Sequence, residues 1–299
     1  MSNPTLPTTS VETATRKLRV ALVFSGLPRM WRACMQSQLQ LFSDVDATVD
    51  VFFHFWDTVD AAEKAAIVDA YKPKAWKFEA PRQLDAWNLR QDLRRDNINS
   101  PARMVSQYSS WKESGQLFAE AHRLQAYDWV LRLRSDLMFF QAIGQLLSPV
   151  ASPFILLTRF NDFGIVNDMF AAGDPSSMVS YLNLLDHLET YKTQVHFNPE
   201  RLLLHHLQQI AKTGTQLHSS NLPVLTVRPH MNGKTITECL EEHPGENKWL
   251  DDEIVQGHVT SHKIIRPEQG EAHVLAFKNQ QLNNYALRKS KMAQAKIAG

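Results

Sequence analysis

The sequence has few cysteines, a near balance of charges and no long apolar run. Its two cysteines, Cys34 and Cys239, lie far apart, so they predict neither a disulfide framework nor a paired metal site. The formal net charge of +1 argues against nucleic acid as the main partner. The longest apolar stretches are too short, or too interrupted by charge, to cross a membrane. We therefore expect no transmembrane segment and a reducing, cytoplasmic setting.

Several catalytic signatures are also absent from the sequence. The chain contains no nucleophile elbow, no Walker phosphate loop, no paired Cys-x-x-Cys and no His-Glu-x-x-His. The glycine-rich loop with a following lysine that sugar nucleotidyltransferases carry is missing as well. These absences argue against the common hydrolases, P-loop enzymes and zinc proteases.

What the sequence does contain is an alternation of short apolar runs and helical patterns. The runs "LRVALVFSG" (18–26) and "DVFFHFWD" (50–57) predict buried strands, and "MWRACMQSQLQLF" between them has helical spacing. A long amphipathic helix over 104–126 leads to the strand "YDWVLRLR". Later we expect a helix from Pro175 to about Tyr191, one capped by Asn198, and a strand in "PVLTVRP". The alternation predicts an α/β fold with a mainly parallel sheet flanked by helices.

Three regions depart from this alternation. Residues 1–16 are rich in Ser, Thr and Pro and predict a disordered leader. Residues 81–103 carry five arginines and predict a basic connection that is either a solvated loop or a ligand lid. After the main domain at 17–229, residues 230–299 form an expected extension with a basic helical tail. That tail could contact the inner face of a membrane peripherally, bind a partner or fray in solvent.

The stretch "YDWVLRLRSDLMFF" places charges at the end of a predicted core strand. Alternation puts Arg132 and Arg134 on one face, opposite the face of Leu131 and Leu133. Unpaired guanidinium groups are costly to bury, so these side chains must be paired or lie where the sheet opens. Open α/β sheets bind ligands at the carboxyl ends of their strands. Arginines there suit phosphate oxygens, and Asp136 suits a cation or a sugar hydroxyl; the alternative is an internal Arg-Asp network.

At this point the chain resembles a known family. The segments "VFSGLPRMW", "DVFFHFWD", "YDWVLRLRSDLMF", "NDMFAAGDPSSM" and "FNPERLLLHHL" occur in the order seen in a group of GT-A-like glycosyltransferases from bacteria and large viruses. That group is associated with capsule, lipopolysaccharide and other surface glycans. The resemblance covers residues 18 to about 210. It implies a GT-A-like, Rossmann-like nucleotide-sugar domain.

The resemblance also implies roles for individual residues. Ser25, Gly26 and Arg29 match positions that hold the base and ribose of the donor. Arg132, Arg134 and Asp136 occupy the place of the acidic Asp-x-Asp motif, which binds a divalent cation and the diphosphate. This chain departs from the motif, because Arg134 stands at the first acidic position. Either Asp136 ligates one Mg²⁺ or Mn²⁺, or the arginines themselves neutralise the leaving diphosphate.

Two further carboxylates are candidates for catalysis. Asp168, beside Asn167, precedes a short apolar strand and could deprotonate an acceptor hydroxyl or orient the donor sugar; the alternative is a turn-forming Asn-Asp pair. Glu200 lies in the first turn of a helix, where the helix dipole alone favours an acid. The resembled family also carries an acid there, which makes Glu200 a second candidate base or acceptor contact.

Other donor contacts are expected on neighbouring elements. His54, Trp56 and Asp57 end the second strand and would lie at the ligand edge, although a hydrogen-bonded core histidine explains His54 equally well. Gln107 and Tyr108 could flank the donor from the long helix, or simply belong to its packed face.

These expectations describe an enzyme that transfers a sugar from a nucleotide-sugar donor to a hydroxyl of a cell-surface glycan or glycolipid. The alternative from another class is a non-catalytic nucleotide- or glycan-binding protein on the same fold.

Overall fold

The computed structural model describes residues 17–82, 101–139, 141–147, 152–158, 166–195, 197–220, 222, 224–226 and 263–265. The expected leader, most of the basic connection and nearly all of the region after residue 229 lie outside these residues. The boundary expected between 229 and 230 therefore stays a prediction. Among the helices in the described ranges, none is both long and apolar enough to cross a membrane.

The strands and helices alternate for most of the described chain. The strands are β1 (Leu18–Gly26), β2 (Ala47–Trp56), β3 (Ala75–Glu79), β4 (Trp129–Leu133), β5 (Leu137–Phe139), β6 (Phe154–Thr158), β7 (Ala171–Gly173), β8 (Gln216–Ser220), β9 (Val224–Thr226) and β10 (Lys263–Ile265). The helices are α1 (Trp31–Leu39), α2 (Ala61–Tyr71), α3 (Pro101–Leu124), α4 (Gly144–Leu147), α5 (Pro175–Leu182), α6 (Leu188–Tyr191) and α7 (Pro199–Ala211). A 3-10 helix, Asn183–His187, separates α5 from α6, so the helix expected over 175–191 is interrupted.

Eight of the described strands form one sheet in the order β10-β8-β6-β7-β4-β1-β2-β3. The neighbours β3, β2, β1 and β4 are parallel, as are β6 and β8. Strand β7 runs antiparallel to both β4 and β6, and β10 is antiparallel to β8. The α/β, Rossmann-like fold with a mainly parallel, helix-flanked sheet is thereby confirmed. The strand expected in "PVLTVRP" corresponds to β9, which pairs with β5 in a separate ribbon.

The sheet carries an apolar core on each face, because successive side chains of a strand point to opposite sides. On one face Phe52 packs edge-on against Phe118 of α3 and Tyr127. On the other face Phe53 and Phe55 stack on each other and belong to the core that α1 and α2 cover. Burying each such aromatic side chain contributes about 1.5–3 kcal/mol, so the central strands stabilise the site at their ends.

Local signals begin the helices where the sequence predicts. The Asn198 side chain accepts a hydrogen bond from the Arg201 amide, and Pro199 occupies the first turn of α7. Asp174 caps α5 in the same way by accepting from the Ser177 amide. Each cap satisfies a backbone N–H that the helix itself cannot pair. The expected start of the helix at Asn198 is confirmed.

Two glycines are required by the backbone. Gly26 ends β1 with φ of 104°, a conformation that side chains disfavour, and its amide donates to Ser110 Oγ at 2.7 Å. A Cβ at Gly173 in β7 would collide with the Phe154 carbonyl of the adjacent strand. Glycine therefore permits both the turn after β1 and the close approach of β7 to β6.

Candidate functional site

The predicted site residues gather at one edge of the sheet. The parallel strands β1, β2 and β4 all end at this edge, which brings the segments 27–30, 57–60 and 134–136 together. Because β7 is antiparallel to β4, with Ala171 opposite Arg132, its entering segment 166–170 lies at this edge as well. Carboxyl ends of strands are where open α/β sheets bind ligands.

Arg29, Arg134 and Asp136 form an arginine-aspartate cluster after β1 and β4. The Asp136 carboxylate accepts from Arg134 Nε at 2.8 Å and from Arg134 Nη2 at 2.6 Å. Arg29 Nη2 lies 3.3 Å from the same carboxylate. The side chain of Asp136 is only 3% exposed, whereas that of Arg134 is 18% and that of Arg29 is 45% exposed. The two arginine side chains are therefore partly exposed, whereas the carboxylate with which they pair is buried.

The electrostatics keep Arg134 charged. Burial lowers the pKa of Arg134, but the charge and hydrogen bonds of Asp136 outweigh it, so the net shift is upward. A cation that is fixed in place and partly open to solvent suits an anionic ligand.

A buried glutamine fixes the backbone of this cluster. Gln38 on α1 donates from Nε2 to the Leu137 carbonyl at 2.7 Å, and the Arg134 and Ser135 carbonyls lie 3.2 Å from the same nitrogen. The Tyr71 hydroxyl donates to Gln38 Oε1 at 2.7 Å. The Ser135 hydroxyl in turn donates to the turn after β1, with the Leu27 carbonyl at 2.8 Å. The segment after β4 is therefore tied to α1 and to the β1 turn.

Arg132 has a different environment from Arg134. It is 2% exposed, and its guanidinium lies 4.2 Å above the ring centre of Trp111 on α3. Its Nη1 donates to the Asp168 carbonyl. Burial lowers the pKa of Arg132, and the nearby Asp168 opposes that shift. In this conformation Arg132 holds the backbone of the segment that contains Asp168. The direct contact with the sugar donor that we expected for Arg132 stays a prediction.

Asp168 and Asn167 lie in the segment that enters β7. The Asn167 side chain accepts from the Met169 amide at 2.6 Å, which closes a short turn, as the alternative interpretation of this pair expects. The half-buried Asp168 carboxylate accepts from Gln107 Nε2 on α3. Asp168 thus remains near solvent while Gln107 and Arg132 hold it in place.

Glu200 is connected to the same neighbourhood through Tyr108. The Tyr108 hydroxyl donates to the Pro199 carbonyl at 3.0 Å, which ties α3 to the first turn of α7. Burial raises the pKa of Tyr108, and Asp168 and Glu200 raise it further. Both predicted catalytic carboxylates therefore lie within electrostatic reach of one buried tyrosine. Tyr108 itself is fully buried, so its expected donor contact would require a rearrangement.

His54 belongs to a polar network at the ends of β1, β2 and β3. Its Nδ1 is 2.8 Å from Ser110 Oγ on α3, and its Nε2 is 3.2 Å from Glu79 Oε2. Burial lowers the pKa of His54, and Glu79 only partly opposes this, so the imidazole is neutral at neutral pH. Both ring nitrogens are therefore engaged, and the Ser110 hydroxyl also donates to the His54 carbonyl at 3.0 Å. This is the hydrogen-bonded core histidine that the sequence allowed as the alternative.

Of the other expected donor contacts at the ends of β1 and β2, two are buried and one lines a groove. Trp56 is 4% exposed and lies edge-on to His54, with ring centres 4.8 Å apart. Ser25 is equally buried, and its hydroxyl has no hydrogen-bond partner in the part of the chain that is described. Asp57 instead pairs with Lys64 at 2.6 Å and lines an open groove of about 520 Å³ between α2 and β3. That groove lies away from the arginine-aspartate cluster.

Two groups of acidic side chains at this edge are candidate ligands for a divalent cation. At Asp136 both carboxylate oxygens accept from Arg134, so a cation would have to share those oxygens with a guanidinium group at short range. The ligand atoms of His54, Glu79 and Glu113 lie within 4.8 Å of one another. Lys77 already sits between these two glutamates, at 2.7 Å from Glu79 and 2.9 Å from Glu113.

Arg82 adds a second cation to that group by pairing with both Glu79 and Glu113. Hydrogen bonding from Lys77 first, and then from His54 and Arg82, lowers the pKa of Glu79 to about 2. Two carboxylates balanced by two basic side chains form a closed network. In both places a divalent cation would lie against basic side chains that already pair with the carboxylates, so the role of Asp136 as a metal ligand stays a prediction.

Several residues at this edge escape sequence-based prediction. Gln38, Ser110 and Ser135 make the contacts that connect α1, α3 and the β1 turn to the strand ends. Each contact joins residues more than 80 positions apart, and no local pattern marks it. The only sequence signal is a polar residue at a predicted buried position of a helix, as at Gln38.

Comparisons with known proteins bear on the backbone alone. No protein-family model matches the chain, and no curated protein matches it. Similar solved structures include an active-site variant of LgtC, at 12% identity and a TM-score of 0.40 over 64% of this chain and 70% of that one. The galactosyltransferase LgtC with donor and acceptor sugar analogues gives 12% identity and a TM-score of 0.38, with the same coverage.

The glycosyltransferase GlyE of Streptococcus pneumoniae TIGR4 gives 11% identity and a TM-score of 0.40, covering 92% of this chain and 64% of that one. At such identities a likeness concerns the course of the chain, and function has to come from the side chains at the site.

Proposed function

We propose that this chain is a glycosyltransferase that moves a sugar from a nucleotide-sugar donor to a hydroxyl group of a glycan or glycolipid acceptor. The observation that carries the proposal is the combination at one sheet edge of a partly exposed arginine pair with two half-buried carboxylates. Arg29 and Arg134 supply the cations, and Asp168 and Glu200 supply the carboxylates. An inverting glycosyl transfer from a nucleoside-diphosphate sugar uses both kinds of group.

The cations suit the leaving group. When the bond between the sugar C1 and the diphosphate oxygen breaks, its electron pair remains on the diphosphate, whose negative charge rises. Fixed guanidinium groups stabilise charge that develops in this way and need no reorganisation at that moment. Arg29 and Arg134 are the partly exposed members of the cluster, so a diphosphate can reach them while Asp136 stays buried.

A carboxylate suits the acceptor. As the acceptor hydroxyl oxygen forms its bond to the sugar C1, its proton must leave, and a positioned carboxylate accepts it. Asp168 is the first candidate and Glu200 the second, if the reaction inverts the configuration at C1. A retaining reaction would need no such base, and Asp168 would then orient the donor sugar.

The surroundings of Asp168 favour a fixed role. Gln107 donates to its carboxylate, and Arg132 donates to its carbonyl from below. Two contacts to one residue restrict its motion, and a reacting group held near the attack geometry gains much of its rate from position alone. Gln107 and Arg132 are in this proposal positioning residues.

We infer further that the acceptor belongs to a cell-surface glycan such as capsule or lipopolysaccharide, and that the chain acts in the cytoplasm, where its basic tail could lie against the inner face of the membrane. These parts of the proposal rest on the sequence resemblance. Cells that express the full chain are fractionated, and the protein is detected in the membrane and cytoplasmic fractions to test the location.

The activity is tested with a panel of UDP-, GDP-, CMP- and ADP-sugars. Release of the free nucleotide is followed with and without simple sugars as acceptors. We expect release from one class of donor, stimulated by an acceptor. No release from any donor, with binding retained, would instead support the non-catalytic nucleotide- or glycan-binding alternative.

A further inference from the structure

We propose that the donor diphosphate is held by Arg29 and Arg134 in place of a divalent cation, so that donor binding is independent of metal. This inference rests on the proposed function and deepens it. It follows from four features of the arginine-aspartate cluster and its neighbours.

The first feature is the occupancy of Asp136. Its Oδ1 accepts from Arg134 Nε and its Oδ2 from Arg134 Nη2, at 2.8 and 2.6 Å, and Arg29 lies 3.3 Å from Oδ2. A divalent cation binds carboxylate oxygens at about 2.0–2.6 Å and would compete with both guanidinium groups for the same two atoms. The pair is bidentate, which is the strong geometry for arginine and a carboxylate.

The second feature is the local charge. Within the arginine-aspartate cluster, Arg29 and Arg134 bring two positive charges and Asp136 brings one negative charge, which leaves one net positive charge. A divalent cation would raise that to three and would be repelled by the guanidinium groups at short range. A diphosphate, which is anionic, would be attracted by the same cluster.

The third feature is the number of unused donors. A guanidinium group has five N–H donors in a fixed fork. Arg134 uses two of them on Asp136, while 18% of its side chain remains exposed. The remaining donors can bind phosphate oxygens without breaking the pair with Asp136. Asp136 therefore acts as a positioning residue that orients Arg134.

The fourth feature is that the cluster is preformed. Gln38 binds the carbonyls on either side of Asp136, and Ser135 binds the turn that carries Arg29. The acidic group of Glu79 and Glu113 offers no alternative, because Lys77 already bridges the two carboxylates. Basic side chains thus lie against both groups of acids that are candidate cation ligands.

The experiment measures binding, not turnover. The full-length protein is stripped with EDTA and titrated calorimetrically with UDP, GDP, CDP and ADP, and with inorganic pyrophosphate, in EDTA and in Mn²⁺. We expect at least one nucleoside diphosphate to bind in EDTA, with a dissociation constant within about threefold of the value in Mn²⁺. Arg134→Ala should weaken binding about tenfold to hundredfold, because charge-assisted hydrogen bonds are lost.

Arg29→Ala provides a second test at a side chain that is 45% exposed; it should weaken diphosphate and pyrophosphate binding together. Arg123→Ala is the matched control. Arg123 is exposed near the end of α3, which leads to the amino end of β4 and thus to the opposite edge of the sheet. Circular dichroism of each variant separates loss of binding from loss of fold.

A further variant should make diphosphate binding depend on metal. Arg134→Asp restores an Asp-x-Asp sequence with Asp136, and we expect diphosphate binding to become dependent on Mn²⁺. Arg123→Asp serves as its control and should stay independent of Mn²⁺. Binding by the natural chain only in Mn²⁺ would overturn this inference and leave the proposed function standing. Binding in neither condition would overturn both, and binding in EDTA without turnover would overturn only the proposed catalysis.

Discussion

At the scale of single residues, strand alternation predicts which side chains share a face. The sequence places Arg132 opposite Leu131 and Leu133, and the structure confirms it, with Arg132 over Trp111 and the two leucines in the other core. The sequence also allows an internal Arg-Asp network, and Arg134 and Asp136 do pair. What it does not predict is that Arg132 is buried while Arg134 reaches solvent, because that depends on how α3 and α5 pack.

The first prediction at this scale concerns the two carboxylates. Asp168→Asn should lower kcat by about a hundredfold to ten thousandfold with little change in KM for the donor, because a general base is lost and its hydrogen-bonding shape is kept. Glu200→Gln should have a smaller effect if Asp168 is the base. Steady-state kinetics with the donor found in the panel measures both. Asp186→Asn, an exposed carboxylate on the 3-10 helix, is the control and should be unchanged. A larger loss in Glu200→Gln than in Asp168→Asn would reverse the two roles.

The second prediction concerns the buried thiol of Cys34. Burial raises the pKa of Cys34 to about 12, and the charge of Asp136 contributes, so almost no thiolate exists at pH 8. In Cys239→Ser, where Cys34 is the remaining cysteine, a thiol reagent should not react with the native protein and should react fully in urea. Rapid labelling of that variant without denaturant would contradict the structure around α1.

At the scale of elements, local patterns predict the central strands and the long helices well. They fail where pairing is long-range. Strand β8, "QLHSS", mixes polar and apolar residues and becomes a strand by pairing with β6, which lies about 60 positions earlier. Strand β5 is separated from β4 by only three residues and leaves the main sheet for β9. The 3-10 segment that separates α5 from α6 likewise carries no Gly or Pro to announce it.

The prediction at this scale concerns the cap of α5. Asp174 is 6% exposed and accepts from the amides of Ser177 and Phe154 and from the Ser176 hydroxyl. Asp174→Ala should lower the free energy of unfolding by about 2–4 kcal/mol, since it removes a cap and leaves buried donors unpaired. Urea unfolding measures it.

Asp60→Ala is the matched control, because Asp60 caps α2 through one exposed hydrogen bond. It should cost about 1 kcal/mol. Hydrogen bonding lowers the pKa of Asp174 despite its burial, so its contribution is present above the ordinary aspartate pKa and is lost as the pH falls through the lowered value. Equal costs for the two variants would show that the contact with Phe154 does not stabilise the protein.

At the scale of the whole molecule, two apolar cores pack on opposite faces of the sheet whose strand ends carry the site. The position of the site residues therefore depends on the stability of the whole fold. The composition predicts a chain that can bury such a core, and the strand-helix alternation predicts its layers. The packing of α5, α6 and α7 over one face of the sheet could not be predicted. From the sequence, His206 is only a polar residue on a helix. In the structure His206 is 2% exposed. Its Nδ1 is hydrogen-bonded to the Tyr191 hydroxyl, and its Nε2 is hydrogen-bonded to the Ser180 carbonyl at 2.8 Å.

That geometry predicts a pH dependence of unfolding. Burial lowers the pKa of His206 to about 4, so the unfolded chain binds the proton more readily and stability falls as the pH drops below about 6.5 toward 4. Between pH 7 and 5 the free energy of unfolding should fall by about 2 kcal/mol more in the natural chain than in His206→Gln. Tyr191→Phe removes a hydrogen bond and keeps the imidazole, so its pH dependence should persist. Identical slopes for the natural chain and His206→Gln would place the imidazole in water.

The direction of one short strand has a practical consequence for locating chemistry in chains of this architecture. In a parallel sheet, reactive groups are expected just after each strand, at its carboxyl end. Here β7 travels against its neighbours, so the same rim also receives the approach to a strand, and Asp168 arrives there before β7 begins. A mutational scan restricted to exits would pass over that carboxylate; scanning the entrance of every reversed strand would include it.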